Sequence, residues 1–414
     1  MALTEQEQQL CRRIAERAEP LMTDLRLHVG IPTGKAHVPG LDETRERFTA
    51  RCEAIGASVR TIEGDTKPDW LDPEPSSPPP TAVCERTAGR GGTRVLIAGH
   101  LDTVHDPAGD FRSLTVRPDG KTALGPGCVD MKGGLVIAMA AIEALEEIGA
   151  DVAWTYLMNS DEETGTFHSE RALRDEATRH DVGLALEPAL PDGSLAVDRL
   201  GSGQFMIETT GRAAHVGRAF TEGVSAVTAL GHALVRVAEM PAPERGRILN
   251  VGPLEGNAAP NAVPDRARAW GNCRFPTREV AQEIDGMLAD LETPSDAMPG
   301  VRVHRVFNRP AKPLVPATER VALLARSAAE AMGQSLPFSK TGGVCDGNIL
   351  QDAGLPTIDT LGVRGGGLHT PDEWIELASL VERCQLLALT ILRLSRTDPA
   401  DIGTIEPNGK EGDA

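Results

Sequence analysis

The sequence predicts an α/β fold, a mostly parallel sheet flanked by helices and interrupted by an inserted βαββαβ (ferredoxin-like) domain, and three observations lead there. The apolar run from Val95 to Ala98 ends in Gly99 and delivers His100, and Asp130 then stands at the start of an apolar helical pattern. Such strand-loop-helix units build open α/β sheets, whose ligands sit beyond the carboxyl ends of the strands. Two further strand patterns, AWTYLMNS and VGLALE, run into acidic residues, the first into Asp161, Glu162 and Glu163 and the second into Glu187. Between Leu200 and about Arg309 the order becomes strand, helix, strand, strand, helix, strand, the split βαβ arrangement of a compact inserted domain.

Each element has its own signal. Residues 4–30 carry a charged amphipathic pattern that predicts a helix, and 41–56 a second helix closed by Gly56. DPEPSSPPP, residues 72–80, continues neither regular structure and is read as a surface loop. The helix after Asp130 runs through LVIAMAAIEALEEIGA and stops at Gly149. In the insertion the strands are GQFMIETTG, RILNVGPLEG, RARAWGNCRF and VRVHRVF, and the helices GVSAVTALGHALVRVAEM and REVAQEIDGMLADLE. The α/β pattern resumes with helix ATERVALLARSAAEAMG, strand LPTIDTLG, His369 and a helix over 377–395. The domain reading is therefore 1–198 for the first segment, 199–312 for the insertion, 313–396 for the second segment, and 397–414 for a flexible tail without periodicity.

Composition narrows the function. The chain has 414 residues, long enough for two domains, and 42 basic against 60 acidic residues. That balance argues against nucleic acid or an anionic membrane surface, both of which are held by clustered Lys and Arg. No apolar run is long enough to span a bilayer, and the charged amino terminus lacks the apolar core of a signal peptide. The seven cysteines are scattered without a C-x-x-C pair, in keeping with reduced thiols and a cytoplasmic protein.

His100, Asp130, Glu163, Glu187 and His369 all fall at the ends of expected strands or at the helix start that follows one. Two histidines and three carboxylates suit Zn²⁺, with Co²⁺ or Mn²⁺ as substitutes. Charge favours two ions per chain: +4 from the metals is balanced by three carboxylates and one bridging hydroxide, whereas one ion leaves the pocket negative. Taken singly, each residue also has a plain structural explanation. Asp130 suits a helix N-cap, Glu162 and Glu163 a solvated charge pair, and either histidine a satisfied core position. Their joint appearance at one sheet edge is what favours a site.

HLDTV, GPGCVDMKGG, SDEETG, LEP, GRAAHVGR and GGGLHTPDEW together resemble the zinc metallopeptidase family of glutamate carboxypeptidase, aminoacylase, acetylornithine deacetylase and succinyl-diaminopimelate desuccinylase. The resemblance runs from about residue 10 to 395, and TGGVCDGN with LGVRGGGLHTPDEW brings it nearest the glutamate carboxypeptidase branch. It implies that His100 and Glu187 bind one zinc, Glu163 and His369 the other, and that Asp130 bridges both. Asp102 matches the carboxylate that orients the His100 imidazole, and Glu162 matches the general base. His215, in G-x-x-A-H-x-G, matches a lid histidine that stabilises the oxyanion, in some members from the partner subunit of a dimer. Asn261 and Arg274 resemble residues that grip a substrate carboxylate, although Arg266, Arg268 and Arg274 also share one strand face by the period of two and could form a solvated basic face. Gly342 and Gly343 match a substrate loop, in which Cys345 stands where relatives carry Ser or Thr. No partner base marks Cys345 as a nucleophile.

The expectation is a dinuclear zinc hydrolase that cleaves an amide next to a free carboxylate and releases a glutamate-like residue from a peptidyl or N-acyl group, with dimerisation through the inserted lid domain. A deacylase or dipeptidase of the same family is the alternative within this chemistry. An inactive homologue serving as a scaffold is the alternative outside it.

Overall fold

In the computed structural model, which describes residues 2–34, 36–71, 77–89, 92–256 and 259–406, the larger sheet has six strands. Their order is Ser58–Ile62, Thr81–Arg86, Trp154–Asn159, Val95–His100, Val182–Ala185 and Thr357–Ile358. The last four run parallel, and Thr81–Arg86 is antiparallel to both of its neighbours. Val95–His100 sits in the interior of the sheet and is buried along its whole length. Its side chains alternate between two cores. Val95 and Ile97 join the larger cluster with the helices Lys132–Glu147 and Ala378–Leu394, while Leu96 and Ala98 join a smaller one with Leu173, Ile349 and Leu350. A strand covered on both faces needs apolar residues at every position, which is why VLIA reads as a continuous run rather than an alternation.

Gly99 breaks that run for a packing reason. A Cβ there would lie 2.8 Å from Leu135 Cδ2 and 3.0 Å from Leu186 Cδ1, so the helix closes on the strand only because the side chain is missing.

The second sheet is antiparallel, with Gly201–Thr210 paired to both Arg266–Phe275 and Gly300–Arg309, and Ile248–Gly256 at its free edge. The helices Ala226–Ala238 and Arg278–Ala289 complete the expected βαββαβ order. Ala267, Ala269, Cys273 and Phe275 enter its core, which turns the alternate residues of the same strand, Arg266 to Arg274, to the other face.

The chain enters and leaves this part side by side. Arg199 and Lys312 exchange backbone hydrogen bonds of 2.9 and 3.0 Å. Their side chains meet on the fully buried Asp359, at 2.7 Å from Arg199 Nη2 and 3.1 Å from Lys312 Nζ.

Four expectations are corrected. The helix expected over 4–30 is two, Glu5–Ala15 and Ala18–Gly30, with a break at Glu16 and Arg17, where Arg17 reaches Glu143 and Glu147 across the core helix. The strand expected over 355–362 pairs only at Thr357–Ile358. The edge strand Ser58–Ile62 and its inner neighbour Thr81–Arg86 were not expected at all. The flexible tail over 397–414 begins with order: Asp398 caps a helical turn, Pro399–Ile402, and Ile402 is buried. Residues 407–414 lie outside the described residues, as do 72–76 of the proline-rich loop.

The Asp359 cluster yields a prediction. Asp359→Ala leaves two buried cations without their anion and is expected to cost about 3–5 kcal/mol, read as a lower urea midpoint at unchanged m-value.

Candidate metal centre

His100 closes its strand with the ring buried. Its Nδ1 lies 2.9 Å from the carbonyl oxygen of Asp102, and since a carbonyl only accepts, Nδ1 carries the proton and Nε2 is left as the free ligand atom. The Asp102 carboxylate is 3.4 Å from the ring and does something else. It accepts the backbone N–H of Glu162 at 3.2 Å and of Glu163 at 2.9 Å, holding the acidic loop against the strand.

Asp130 does not cap the following helix. Met131 occupies the cap position of Lys132–Glu147 without a side-chain bond, which leaves both Asp130 oxygens for the site. Oδ1 is 3.3 Å from His100 Nε2, and Oδ2 is 3.5 Å from His369 Nε2. Glu163 Oε2 lies 3.3 Å from that same His369 nitrogen. Glu187 follows the strand Val182–Ala185 in a turn shaped by Gly362, whose N–H bonds the Glu187 carbonyl at 2.9 Å and whose absent Cβ would stand 2.7 Å from it. His369 arrives from the far end of the chain in the left-handed backbone region, φ +61°, with its side chain half exposed. A non-glycine residue held there stores of order 1 kcal/mol.

The ligand atoms form two triads that share Asp130. His100, Asp130 and Glu187 lie within 4.8 Å of one another, and so do Asp130, Glu163 and His369. Two buried atoms in the middle, His100 Nε2 and Asp130 Oδ1, have no hydrogen-bond partner among the described residues. Orphaned donors and acceptors facing each other in a nitrogen-and-oxygen set are what a divalent cation satisfies, so the residues fit the group.

The electrostatics point the same way. His369 is pushed up to about 10 by its bonds to Asp130 and Glu163. Burial works against a charged His100, yet Asp102 and Asp130 hold its pKa well above the usual value. Burial raises Glu187, and the Glu162 carboxylate adds to this. Without metal the pocket collects protons, as expected of a place built for positive charge.

Glu162 is enclosed, and burial lifts it to about 7 against the pull of Arg309 and His100. Arg309 Nη2 is 2.9 Å from Glu162 Oε1 and donates to the Glu162 carbonyl at 3.0 Å, while its Nη1 lies 3.5 Å from Asp346. Sequence reasoning missed Arg309. Its only signal was a cation closing the last strand of the insertion, just before Pro310.

The other expected residues divide into two groups. Arg266 and Arg268 share a face with Arg274, but both pair with Glu208. Arg274 Nη1 is buried without a hydrogen-bond partner among the described residues, and burial followed by the nearby Arg309 lowers its pKa. His215 and Asn261 meet on a short ribbon, Ala214–His215 against Ala262–Val263, where Asn261 accepts the Val216 N–H. His215 Nδ1 accepts the Gly217 N–H at 3.1 Å, so its Nε2 carries the proton. Among the described residues, neither side chain bonds any of the five ligands. The Gly343 carbonyl accepts from Arg199 at 3.1 Å, while Gly342 is exposed. Cys345 is fully buried with its thiol pKa well above normal, which makes it inert as a nucleophile.

A family model described as Peptidase family M20/M25/M40 matches residues 96–393. Carboxypeptidase G2 of Pseudomonas sp. (strain RS-16) is 28% identical over 75% of this chain and 76% of its own length. Succinyl-diaminopimelate desuccinylase of Methylobacterium nodulans is 31% identical over 74% of this chain and 82% of its own. The solved structure of a tripeptidase from Staphylococcus aureus superposes with a TM-score of 0.74 at 20% identity, over 92% of this chain and 99% of that one.

Stability of the metal-free protein is expected to fall as pH rises, for two reasons with the same sign. Burying Glu162 costs nothing while it is protonated below 4.5 and acts fully above about 7. His369 stabilises the fold while protonated in both states, below 6.5, and that contribution disappears as pH rises to about 10. Thermal midpoints of chelator-treated protein should therefore decline across this range, and His369→Ala should flatten the alkaline half. Zinc affinity should rise over the same range as the competing protons leave.

Proposed function

Starting from the chain's membership of peptidase family M20/M25/M40, metal-dependent hydrolases of amide bonds, we propose that it is a dinuclear zinc enzyme that cleaves an amide next to a free carboxylate. The residue released is C-terminal and glutamate-like, and it comes from a peptidyl or N-acyl group. The observation that carries this reading is the pair of triads sharing Asp130. An N-acyl-amino-acid deacylase or dipeptidase would use the same centre.

In this reading His100 and Glu187 hold one ion, Glu163 and His369 the other, and Asp130 both. When bound, the two cations would supply Lewis acidity and make the attacking water more acidic. Glu162, buried and held by Arg309, is placed to take a proton from the attacking water and return it to the leaving amine. Asp102 sets the position of Glu162 through the backbone and the tautomer of His100 through its carbonyl. The proton on His215 Nε2 is available to the developing oxyanion. The Arg274 guanidinium, whose buried Nη1 has no hydrogen-bond partner among the described residues, takes the substrate carboxylate, with Asn261 and the Gly342–Gly343 loop shaping the rest of the pocket.

Residues 199–312 act as a lid and as the dimer contact in this proposal. The edge strand Ile248–Gly256 leaves backbone groups open to pairing, and Val227, Val235, Ile248 and Leu254 are exposed apolar residues on it and on the neighbouring helix. A second copy of the chain satisfies both. A cytoplasmic setting is supported by the seven unpaired cysteines. Among the described residues, no helix is long and apolar enough to cross a membrane.

Glu162→Gln is expected to lower kcat by about 10²–10⁴-fold with both metals retained, measured as turnover beside metal content. Arg274→Ala should raise KM for carboxylate-bearing substrates on the order of 10–100-fold, the loss of one charged hydrogen-bonding partner. Carboxamide analogues should show the same loss with the parent enzyme. Equal turnover of acids and amides would move the assignment to a general amidohydrolase.

A further inference from the structure

We propose that Glu373 is the positioning residue of the centre: its side chain clamps the loop that presents Asp130 and thereby sets how tightly the shared carboxylate holds metal. The inference rests on the dinuclear reading above. Glu373 is completely buried four residues after His369. It lies on the turn that leads into the strand Trp374–Glu376.

The side chain of Glu373 has every partner in one place. Oε1 accepts the N–H of Val129 at 2.9 Å and of Asp130 at 3.0 Å. Oε2 accepts the N–H of Gly127 at 2.7 Å and faces His105 Nε2 at 2.5 Å. Its backbone carbonyl takes the N–H of Gly125 at 3.2 Å. The segment 125–130 has no strand or helix of its own; beside its own turn bonds, Cys128 N–H to the Gly125 carbonyl and Lys132 N–H to the Gly127 carbonyl, the Glu373 bonds tie it to the turn after His369. Gly127 sits in the left-handed region, φ +67°, which lets successive N–H groups converge on one carboxylate.

Glu373 therefore touches both halves of the centre. Through the loop it fixes the backbone of Asp130. Through the turn, where its own N–H bonds the Thr370 carbonyl, it is tied to the segment carrying His369. Among the described residues no hydrogen bond or ion pair joins it to a ligand side chain, so its effect passes through their placement. An amide in its place keeps one acceptor for Val129 and Asp130 but sets an N–H₂ group against the Gly127 N–H, donor against donor.

The test is zinc binding by the full chain, measured by competition with a chromophoric chelator, for the parent, Glu373→Gln and Glu376→Gln. Glu376 lies on the same hairpin, is partly exposed and pairs with Arg364, so its variant removes the same charge without touching the loop. The parent should bind about two zinc ions. Glu373→Gln should bind with affinity weakened about 10–100-fold, the range for partners that orient metal ligands. Its turnover should be low at limiting zinc and recover with excess zinc, and Glu376→Gln should match the parent. A folded Glu373→Gln with parental affinity overturns the inference, because a purely structural role lowers the thermal midpoint without moving affinity. If that variant does not fold, Glu373→Asp keeps the charge but shortens the reach to the Gly127, Val129 and Asp130 N–H groups, and parental affinity there overturns it equally. A parent that binds no zinc overturns the dinuclear reading together with this inference, a result visible before any variant is made.

Discussion

One carboxylate faces two histidines, and the rest of the site is arranged so that it can. Asp130 reaches His100 with one oxygen and His369 with the other, although these histidines come from opposite ends of the chain. An aspartate at the head of a helix ordinarily turns back to cap it, and capping would remove one oxygen from the centre. Here the helix starts two residues later and goes uncapped by any side chain. Gly99 lets that helix press against the His100 strand, and the 3.3 Å approach of Asp130 to His100 Nε2 is made across that closely packed seam.

Around this carboxylate the charges are sorted by depth. The acids nearest the centre face histidines, while those behind them face arginine or lysine. Glu162 has Arg309, Asp359 has Arg199 and Lys312, and Asp346 is shared among Asn159, Thr166 and Arg309. The outer acids are compensated within the protein and the inner ones await a cation from outside. A chain with a formal net charge of −18 thus concentrates an unbalanced part of that charge where it can bind metal.

Much of this arrangement is legible in the sequence, because the signals are local. The doubly covered strand VLIA, the alternating RARAWGNCRF and the amphipathic helices carry their period on the surface of the text, and the five candidate ligands fall at their ends. Elements defined by a neighbour are not legible in this way. Ser58–Ile62 and Thr81–Arg86 are short, and they become strands in series: Thr81–Arg86 pairs along Trp154–Asn159, and Ser58–Ile62 pairs along Thr81–Arg86. The break at Glu16 and Arg17 stands four residues before Pro20, which has no N–H to give the Glu16 carbonyl, a local signal overridden in the sequence reading by the amphipathic period. Arg309 and Glu373 gain meaning only from loops far away in sequence. Asp102 is expected beside the imidazole, and its carboxylate lies 3.4 Å from the His100 ring; what the sequence does not show is that the same carboxylate also accepts two backbone N–H groups of the acidic loop.

The paired crossing at Arg199 and Lys312 has a bearing on how the chain assembles. The segment between them closes into its own antiparallel sheet, and once it does, the two halves of the larger fold are joined by a hydrogen-bonded pair rather than by more than a hundred flexible residues. Loop-closure entropy that would separate the first segment from the last is thereby removed before the larger sheet has to form. Thr357–Ile358 can then find Val182–Ala185 as a near neighbour along the effective chain. The intervening part works as a splint, and the contact order felt by the outer fold is shorter than its residue numbers indicate.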